Sequence, residues 1–251
     1  MQPTQTVVGW TIELEQLSMG QLSPHSDWHW QQLGWQIGIV SLWLSLLVFV
    51  SLILHRWLAV EPEVTRKVVH IGAGNVILIA WWLNIPGWLG IAASVIFSAL
   101  TLLAYRFPLL PGIDSVGRKS LGTFFYAVSI GVLIASFWNI APHFAAMGIL
   151  IMTWGDGLAA LIGQRWGQHP YQLGGMKKSW EGSLAMLTVS GMVSGSILLS
   201  VYGNSGLIWL IALLIAITAT GLEAFSKLGI DNLTVPIGSA VIGFLLVQLW
   251  L

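Results

Sequence analysis

Long apolar stretches are the feature that most restricts how this chain can fold. A membrane core is spanned by about 20 consecutive apolar residues in a helix. Eight such stretches follow one another along the 251 residues, at 35–55, 68–84, 87–104, 120–138, 144–163, 182–202, 206–222 and 234–250. The second stretch is short, so seven spans are the alternative count. Only 8% of the residues are charged, against about 25% in soluble domains. The sequence therefore predicts an all-α, polytopic membrane helix bundle.

The first 32 residues differ from the rest of the chain. They are polar and lack both the basic start and the apolar run of a secretory signal. We predict a polar N-terminal tail over 1–32 and a single transmembrane domain over 33–251. The formal net charge is zero, which gives no indication of nucleic-acid binding. The absence of cysteine excludes disulfides and thiolate metal sites.

All the basic residues fall in or beside the four longer connections between spans. These residues are Arg56, Arg66, Lys67, Arg106, Arg118, Lys119, Arg165, Lys177, Lys178 and Lys227. The short connections at 84–88, 138–143 and 202–206 carry no charge. Basic loops stay in the cytoplasm or its topological equivalent. We therefore predict a non-cytoplasmic N-terminus and a charged cytoplasmic face.

Acidic residues collect at the same face, although the positive-inside rule barely governs them. Three basic pairs precede helices that run away from this face, and helix N-termini disfavour cations. Basic side chains beside helix N-termini make a good phosphate site. Carboxylates nearby suit Mg²⁺, because Mg²⁺ binds oxygen ligands that come partly from protein carboxylates and partly from substrate phosphates. The pattern favours a site for a metal with a nucleotide or diphosphate, and topology signals with rim ion pairs are the alternative.

The segment "MTWGDGLAALIGQRWG" places Asp156 about two turns, or about 10 Å, before the cytoplasmic end of its span. An ionised aspartate at membrane depth costs about 2.5–3.5 kcal/mol on insertion scales. Such a residue marks a functional site or an interhelical ion pair without chemistry. Gly155, Ala159, Gly163 and Gly167 favour close helix packing, while Gly155 and Gly157 could admit a ligand. "GDGLAA" is not a dinucleotide fingerprint, because no strand precedes it.

Four other segments supply candidate groups. "GGMKKSWEGS" holds Lys177, Lys178, Ser179 and Glu181, but it is not a P-loop. "EAFSKLGIDNLTVP" offers oxygen ligands in Glu223, Asp231 and Asn232, with Pro236 expected in the first turn of the last helix. "RKVVHIGAG" holds Arg66, Lys67 and His70, and "GRKSLGT" holds Arg118, Lys119 and Ser120. Each segment also has a simpler interpretation as an anchor or polar turn.

Taken in order, "RKVVHIGAG", "GRKSLGT", "WGDGLAALIGQRWG", "KKSWEGSLAM" and "EAFSKLGIDNLTVP" resemble segments of the CTP-dependent polyprenol kinases. The resemblance covers about 60–250 and is greatest to the phytol kinases of cyanobacteria and plastids. It implies Mg²⁺-dependent transfer of the γ-phosphoryl group of CTP to an isoprenoid alcohol such as phytol or geranylgeraniol. The products would be phytyl phosphate and CDP, made during phytol salvage for tocopherol synthesis. The host would be a cyanobacterial or plastid membrane, with the active face cytoplasmic or stromal.

The resemblance also suggests roles for the candidate residues. Asp156, Lys178 and Glu181 are the predicted catalytic residues, and Asp156, Glu181, Glu223 and Asp231 are the predicted metal ligands. The predicted nucleotide-binding residues are Arg66, Lys67, His70, Arg118, Lys119, Ser120, Lys177, Ser179 and Asn232. Asp156 could instead accept the proton of the alcohol.

Three alternatives stay open at this stage: a dolichol or polyprenol kinase, a cytidylyltransferase that forms CDP-lipid, and a transporter. A transporter is disfavoured because the outer halves of the spans are almost wholly apolar.

Overall fold

The computed structural model describes residues 26–106, 121–173 and 175–251. Its elements, in chain order, are α1 (Ser26–Arg56), α2 (Pro62–Gly74), α3 (Val76–Trp82), α4 (Gly87–Arg106), α5 (Gly122–Phe137), α6 (Pro142–Leu150), a π-helical segment (Ile151–Asp156), α7 (Gly157–Trp166), β1 (Pro170–Leu173), β2 (Met176–Ser179), α8 (Trp180–Tyr202), α9 (Gly206–Phe225) and α10 (Asp231–Trp250). Residues Val40–Leu251 form one compact unit, to which the site described below belongs.

The predicted helical membrane bundle is confirmed. Within the described residues, six helices are long and apolar enough to cross a membrane, and Gly122–Phe137 is a shorter apolar helix. The predicted span at 68–84 is divided at Asn75 into α2 and α3. Helix α1 begins at Ser26, inside the predicted tail, and residues 1–25 lie outside the described part.

Two local predictions are corrected by the structure. The loop around Lys177 and Lys178 is an antiparallel hairpin of β1 and β2. Helix α10 begins at Asp231, so Pro236 lies inside the helix and not in its first turn. Since proline has no backbone N–H, Pro236 cannot donate the usual helical hydrogen bond to the carbonyl of Asn232.

The centre of the bundle is the continuous helical run Pro142–Trp166. In this run, 72% of the most apolar 18-residue segment is buried. In the other five candidate spans, the buried share of the corresponding segment ranges from 0% to 39%. Helices α5, α8 and α10 pack around α6 and the π-helical segment. Phe144, Met147 and Met152 are fully enclosed in this core.

Glycines allow the central run to approach its neighbours closely. A Cβ added at Gly74 would lie 2.0 Å from Thr153 Cγ2. A Cβ added at Gly148 would lie 2.4 Å from the backbone oxygen of Pro236. Because a backbone atom cannot swing aside as a side chain does, Gly148 fixes the separation of α6 and α10.

We expect Gly148→Ala to destabilise the bundle by about 1–3 kcal/mol through overpacking. The measurement is the thermal unfolding midpoint in detergent. Gly191→Ala is the matched control, because a Cβ there would lie 3.7 Å from Ala216 Cβ, an ordinary contact. Equal midpoints for the two variants would contradict the close α6–α10 contact.

Candidate active site

An ion pair buried between α2 and the central run forms the middle of the site. Lys67 Nζ donates a hydrogen bond to Asp156 Oδ2 at 2.6 Å. The two residues are only 5% and 7% exposed. Since an unpaired charge at this depth is unfavourable, Lys67 explains how Asp156 can stay ionised inside the bundle. The interhelical ion pair that the sequence allowed is present, and a metal-binding role for Asp156 stays a prediction.

The backbone around Asp156 departs from a regular α-helix. Asp156 ends the π-helical segment, and α7 then continues for ten residues to Trp166. That distance along the helix is about 15 Å, so Asp156 lies farther from the end of the helix than the predicted two turns. Single-turn π-helical segments are frequent at functional sites. Here the segment brings the carboxylate of Asp156 to Lys67.

The glycines on either side of Asp156 are packing positions. A Cβ added at Gly155 would lie 2.8 Å from Met186 Sδ, and one at Gly157 would lie 2.8 Å from Ile71 Cγ1. The space that could have admitted a ligand beside these glycines is filled by neighbouring side chains. Similarly, a Cβ at Gly163 would contact Ser179 Oγ at 3.0 Å, which agrees with the predicted packing role of this glycine.

A second ion pair joins the hairpin to the end of α9. Lys178 Nζ bonds to Glu223 Oε1 and also donates to the backbone oxygen of Glu223 at 3.2 Å. Glu223 is 5% exposed. Partial burial lowers the pKa of the Lys178 ammonium, but the Glu223 carboxylate and its hydrogen bond outweigh burial and raise that pKa above its ordinary value. Lys178 therefore keeps its charge at physiological pH.

The hairpin separates two adjacent lysines by the alternation of a β-strand. Lys178 points to Glu223, while its neighbour Lys177 is exposed. Strand pairing ends at Leu173 and Met176, and Gly175, just before Met176, has φ of +84°. The paired glycines in "LGGM" are a typical signal for such a turn. That signal could have predicted the hairpin from the sequence.

Asp231 and Asn232 bring further oxygen atoms to the site from the first turn of α10. Asp231 interacts electrostatically with Asp156, Lys178 and Lys67. The buried Oδ1 of Asn232 has no hydrogen-bond partner among the described residues. Buried acceptors are nearly always satisfied in folded proteins, so the unmatched amide oxygen of Asn232 is a candidate acceptor for a donor or cation that is not part of the protein.

We use the name charged cluster for Lys67, Asp156, Lys178, Glu223 and Asp231. These residues come from α2, the π-helical segment, β2, α9 and α10. Asp156 interacts electrostatically with both lysines, Asp231 interacts with Asp156 and both lysines, and Glu223 joins the cluster through its pair with Lys178. Two ammonium groups and three carboxylates give the cluster a formal charge of −1.

Several predicted site residues lie outside the charged cluster. Glu181 accepts hydrogen bonds from the backbone N–H of His169, at 3.2 Å, and contacts the His169 ring at 2.6 Å. Ser179 caps α8 by accepting from the Gly182 N–H at 3.2 Å. Arg66 pairs with Glu63 at 2.6 Å at the start of α2.

His70 lies one turn beyond Arg66 on the same helix. Its ring packs on Tyr126 at 4.5 Å between ring centroids, and its Nε2 is buried without a partner in the described part of the chain. Lys177 is exposed at the rim. Arg118, Lys119 and Ser120 fall outside the described residues.

The four predicted metal ligands are not assembled into one cage. Among residues 26–106, 121–173 and 175–251, no group of three or more His, Cys, Asp or Glu side chains is placed to hold a metal ion. Glu181 contacts His169 at the base of the hairpin, whereas Asp156, Glu223 and Asp231 belong to the charged cluster. Any metal ligation by these groups therefore stays a prediction.

We expect Asp156→Asn to destabilise the protein by about 3–5 kcal/mol, because it leaves the Lys67 ammonium buried without a counter-charge. The double variant Lys67→Met with Asp156→Leu removes both charges and should recover most of the loss. Thermal unfolding in detergent measures both. Glu63→Gln is the control at the half-exposed Arg66–Glu63 pair, where we expect less than about 1 kcal/mol. Equal losses for Asp156→Asn and the double variant would contradict the pairing.

The chain is similar over most of its length to curated prenol kinases. It is 51% identical over 216 residues to the phytol kinase of Synechocystis sp., which covers 86% of this chain and 93% of that protein. It is 29% identical to a probable chloroplastic phytol kinase of Triticum aestivum, over 74% of this chain and 68% of the relative. The chloroplastic farnesol kinase of Arabidopsis thaliana is also 29% identical, over 74% of this chain and 66% of that protein. No protein-family model and no solved structure matches the chain. The extent of the similarity to the Synechocystis protein shows that this chain belongs to the phytol kinase family.

Proposed function

We propose that this protein is a membrane-embedded kinase that transfers the γ-phosphoryl group of CTP to phytol or a closely related prenol. The observation that carries the proposal is the 51% identity to a phytol kinase over 93% of that relative. The charged cluster supports it, because phosphoryl transfer depends mainly on positioning and on neutralising phosphate charge. Apolar helices around the cluster suit a substrate that is dissolved in the bilayer.

Lys178 is the proposed ligand of the transferred phosphoryl group. It is held between strand β2 and the end of α9 by its bonds to Glu223. A fixed ammonium stabilises developing charge without reorganisation at the moment of reaction. The exposed Lys177 on the same strand would bind the α- and β-phosphates of the nucleotide. We assign Arg118, Lys119 and Ser120 to the same task from the sequence pattern.

The donor atoms in the charged cluster fit Mg²⁺. The lysines contact Oδ2 of Asp156 and Oε1 of Glu223, so the second oxygen of each carboxylate lies outside its ion pair. Asn232 follows Asp231 in the sequence, and its Oδ1 has no hydrogen-bond partner among the described residues. Mg²⁺ needs only one or two protein carboxylates when phosphates supply other ligands. We assign the metal to Asp156 and Asp231 with Asn232; bound there, it would neutralise phosphate charge.

The proposed reaction conserves atoms and charge in one displacement. The prenol hydroxyl oxygen forms a bond to Pγ while the bond from Pγ to the β–γ bridging oxygen breaks. The hydroxyl proton passes to a carboxylate of the charged cluster, and the nucleoside diphosphate leaves. Glu181 would act by holding the base of the hairpin through His169, and so would keep Lys178 in place.

We place the active face in the cytoplasm or stroma of a cyanobacterial or plastid cell. The support is the concentration of basic residues at one face and the cyanobacterial and chloroplastic relatives. In that setting the product would enter phytol salvage and tocopherol synthesis. Farnesol is a second candidate substrate, because a farnesol kinase is among the relatives.

The activity can be tested with purified protein in lipid nanodiscs. CTP, UTP, ATP and GTP labelled at the γ-phosphate are each combined with phytol, geranylgeraniol, farnesol, a long polyprenol and diacylglycerol. We expect labelled phytyl phosphate and unlabelled CDP. Release of labelled pyrophosphate with phosphatidic acid as the acceptor would indicate a cytidylyltransferase, and no transfer to any prenol would overturn the proposal.

Lys178→Ala should lower kcat by about 10²- to 10³-fold, the usual effect of removing one transition-state donor. Arg165→Gln is the control, because Arg165 is exposed and stacks on Trp166 at 5.5 Å. Folding of both variants is checked by their unfolding midpoints. Near-native kcat in a folded Lys178→Ala protein would exclude the assigned role.

Asp231→Asn should raise the Mg²⁺ concentration for half-maximal activity by about tenfold, since an amide is a weaker ligand than a carboxylate. Activity is titrated with Mg²⁺ at saturating nucleotide and prenol. Glu61→Gln, at an exposed carboxylate outside the charged cluster, is the control and should leave the titration unchanged. An unchanged titration for Asp231→Asn would remove Asp231 from the metal site.

A further inference from the structure

The loop between α9 and α10 carries one basic residue, Lys227, whose ammonium reaches the turn of the hairpin. A Cβ added at Gly175 would have Lys227 Nζ, at 3.9 Å, as its only described neighbour within 4 Å beyond the adjoining residues. Gly175 itself has φ of +84°, which a side chain would disfavour. The ammonium of Lys227 therefore lies beside a space at the turn that is otherwise open in the described part of the chain.

The backbone around Lys227 is held on both sides, so the position of this side chain is a property of the fold. Ser226 is 4% exposed, and its Oγ donates to the backbone oxygen of Leu222 at 2.7 Å. The backbone N–H of Ile230 donates to the backbone oxygen of Lys227 at 3.0 Å. These bonds fix the short loop 226–230 and keep Lys227 beside the hairpin.

The same loop joins two acids of the charged cluster. Glu223 lies four residues before Lys227, and Asp231 lies four residues after it. Glu223 also bonds to Lys178 on β2. The loop is thus tied to the hairpin at two places, by the Glu223–Lys178 pair and by Lys227 at the turn.

The charge of Lys227 is available to a ligand. Lys227 is exposed and has no ion pair with a residue of the ranges 26–106, 121–173 and 175–251. Lys67 and Lys178 differ from it, because their charges are paired inside the cluster. Lys177, two residues after Gly175, is exposed as well. Two ammonium groups near an open turn are suited to bind phosphate, which lysine holds as a point charge.

Lipid headgroups are another source of phosphate at a membrane surface. Phe225 and Leu228, on either side of Lys227, are 70% and 75% exposed, as expected for residues that touch lipid. A lysine that anchors a protein to headgroups extends its ammonium outward to the interface. Lys227 Nζ instead lies against a turn of its own chain, which favours a phosphate that is held at the hairpin.

We propose that Lys227 binds the α-phosphate of the nucleotide, so that the triphosphate lies along β2 with its γ-phosphate at Lys178 and its nucleoside at the hairpin turn. This inference rests on the proposed kinase activity. A strand rises about 3.3 Å per residue, so Gly175 is about 10 Å from Lys178 along the chain. Lys227 and Lys178 then bind opposite ends of the triphosphate, and Lys177 lies between them.

Lys227→Ala should raise KM for CTP by about tenfold, the scale of one lost hydrogen bond to a charged group, with kcat and KM for phytol unchanged. Lys227→Arg keeps the charge and should keep most of the affinity. Arg56→Ala is the matched control, because it removes one exposed positive charge from another loop of the charged face. Unfolding midpoints in detergent show whether the variants fold. Equal KM values for CTP in Lys227→Ala and Arg56→Ala would overturn the inference.

The orientation of the nucleotide is tested by direct binding of CTP and CDP, measured by calorimetry with Mg²⁺ and without prenol. CDP keeps the α- and β-phosphates and lacks the γ-phosphate. Lys227→Ala should therefore weaken the binding of CDP and of CTP by the same factor, whereas Lys178→Ala should weaken CTP more than CDP. If Lys227→Ala weakens the binding of CTP but not of CDP, the proposed orientation is wrong.

The choice of lipid separates a nucleotide phosphate from a lipid phosphate. Binding and KM are measured in nanodiscs of galactolipid, which contains no phosphate, and of phosphatidylglycerol. Equal effects of Lys227→Ala in both lipids support the inference, and an effect confined to phosphatidylglycerol would assign Lys227 to the lipid and overturn it. If nucleotide binding depends on Lys227 but no prenol is phosphorylated, the kinase fails and the phosphate site stands. If prenol is phosphorylated and Lys227→Ala changes neither binding nor KM, the kinase stands and the phosphate site fails.

Discussion

The buried pair between Lys67 and Asp156 is the interaction on which the arrangement of the site depends. Each partner alone would be an uncompensated charge inside the bundle, so each requires the other. Their contact fixes the height of α2 against the central run. It also fixes where the other charged groups can be, because Asp231 and Lys178 both interact with Asp156. The pair is thus a structural requirement and a component of the site.

The ion pairs inside the charged cluster also determine its net charge. Without substrate, the two lysines neutralise two carboxylates, and the cluster retains a single formal negative charge. A divalent cation would reverse that sign and so attract the phosphates of a nucleotide.

The sequence predicted the bundle better than the site. Each of the eight predicted spans corresponds to one helix, to the pair α2 and α3, or to the continuous run Pro142–Trp166, because burial in lipid imposes a strong and local hydropathy signal. The break at Asn75 and the π-helical segment before Asp156 were not predicted, since both depend on tertiary contacts such as the Trp154–Asn75 bond. The sequence identified Lys67, Lys178, Asp156 and Glu223 as candidates but not which would pair. Which of these residues pair depends on the face that each helix turns toward its neighbours, and residue types alone do not determine that orientation.

The enclosed position of the central run has a consequence for how such proteins are recognised and assembled. At 1.6 this run has the lowest mean hydropathy of the six candidate spans, and α1, at 2.7, has the highest. A helix that is surrounded by protein does not need to dissolve in lipid, so it can carry Thr153 and Asp156 where a lipid-facing helix could not. A ranking of the six candidate spans by mean hydropathy therefore places last the run that contains Asp156.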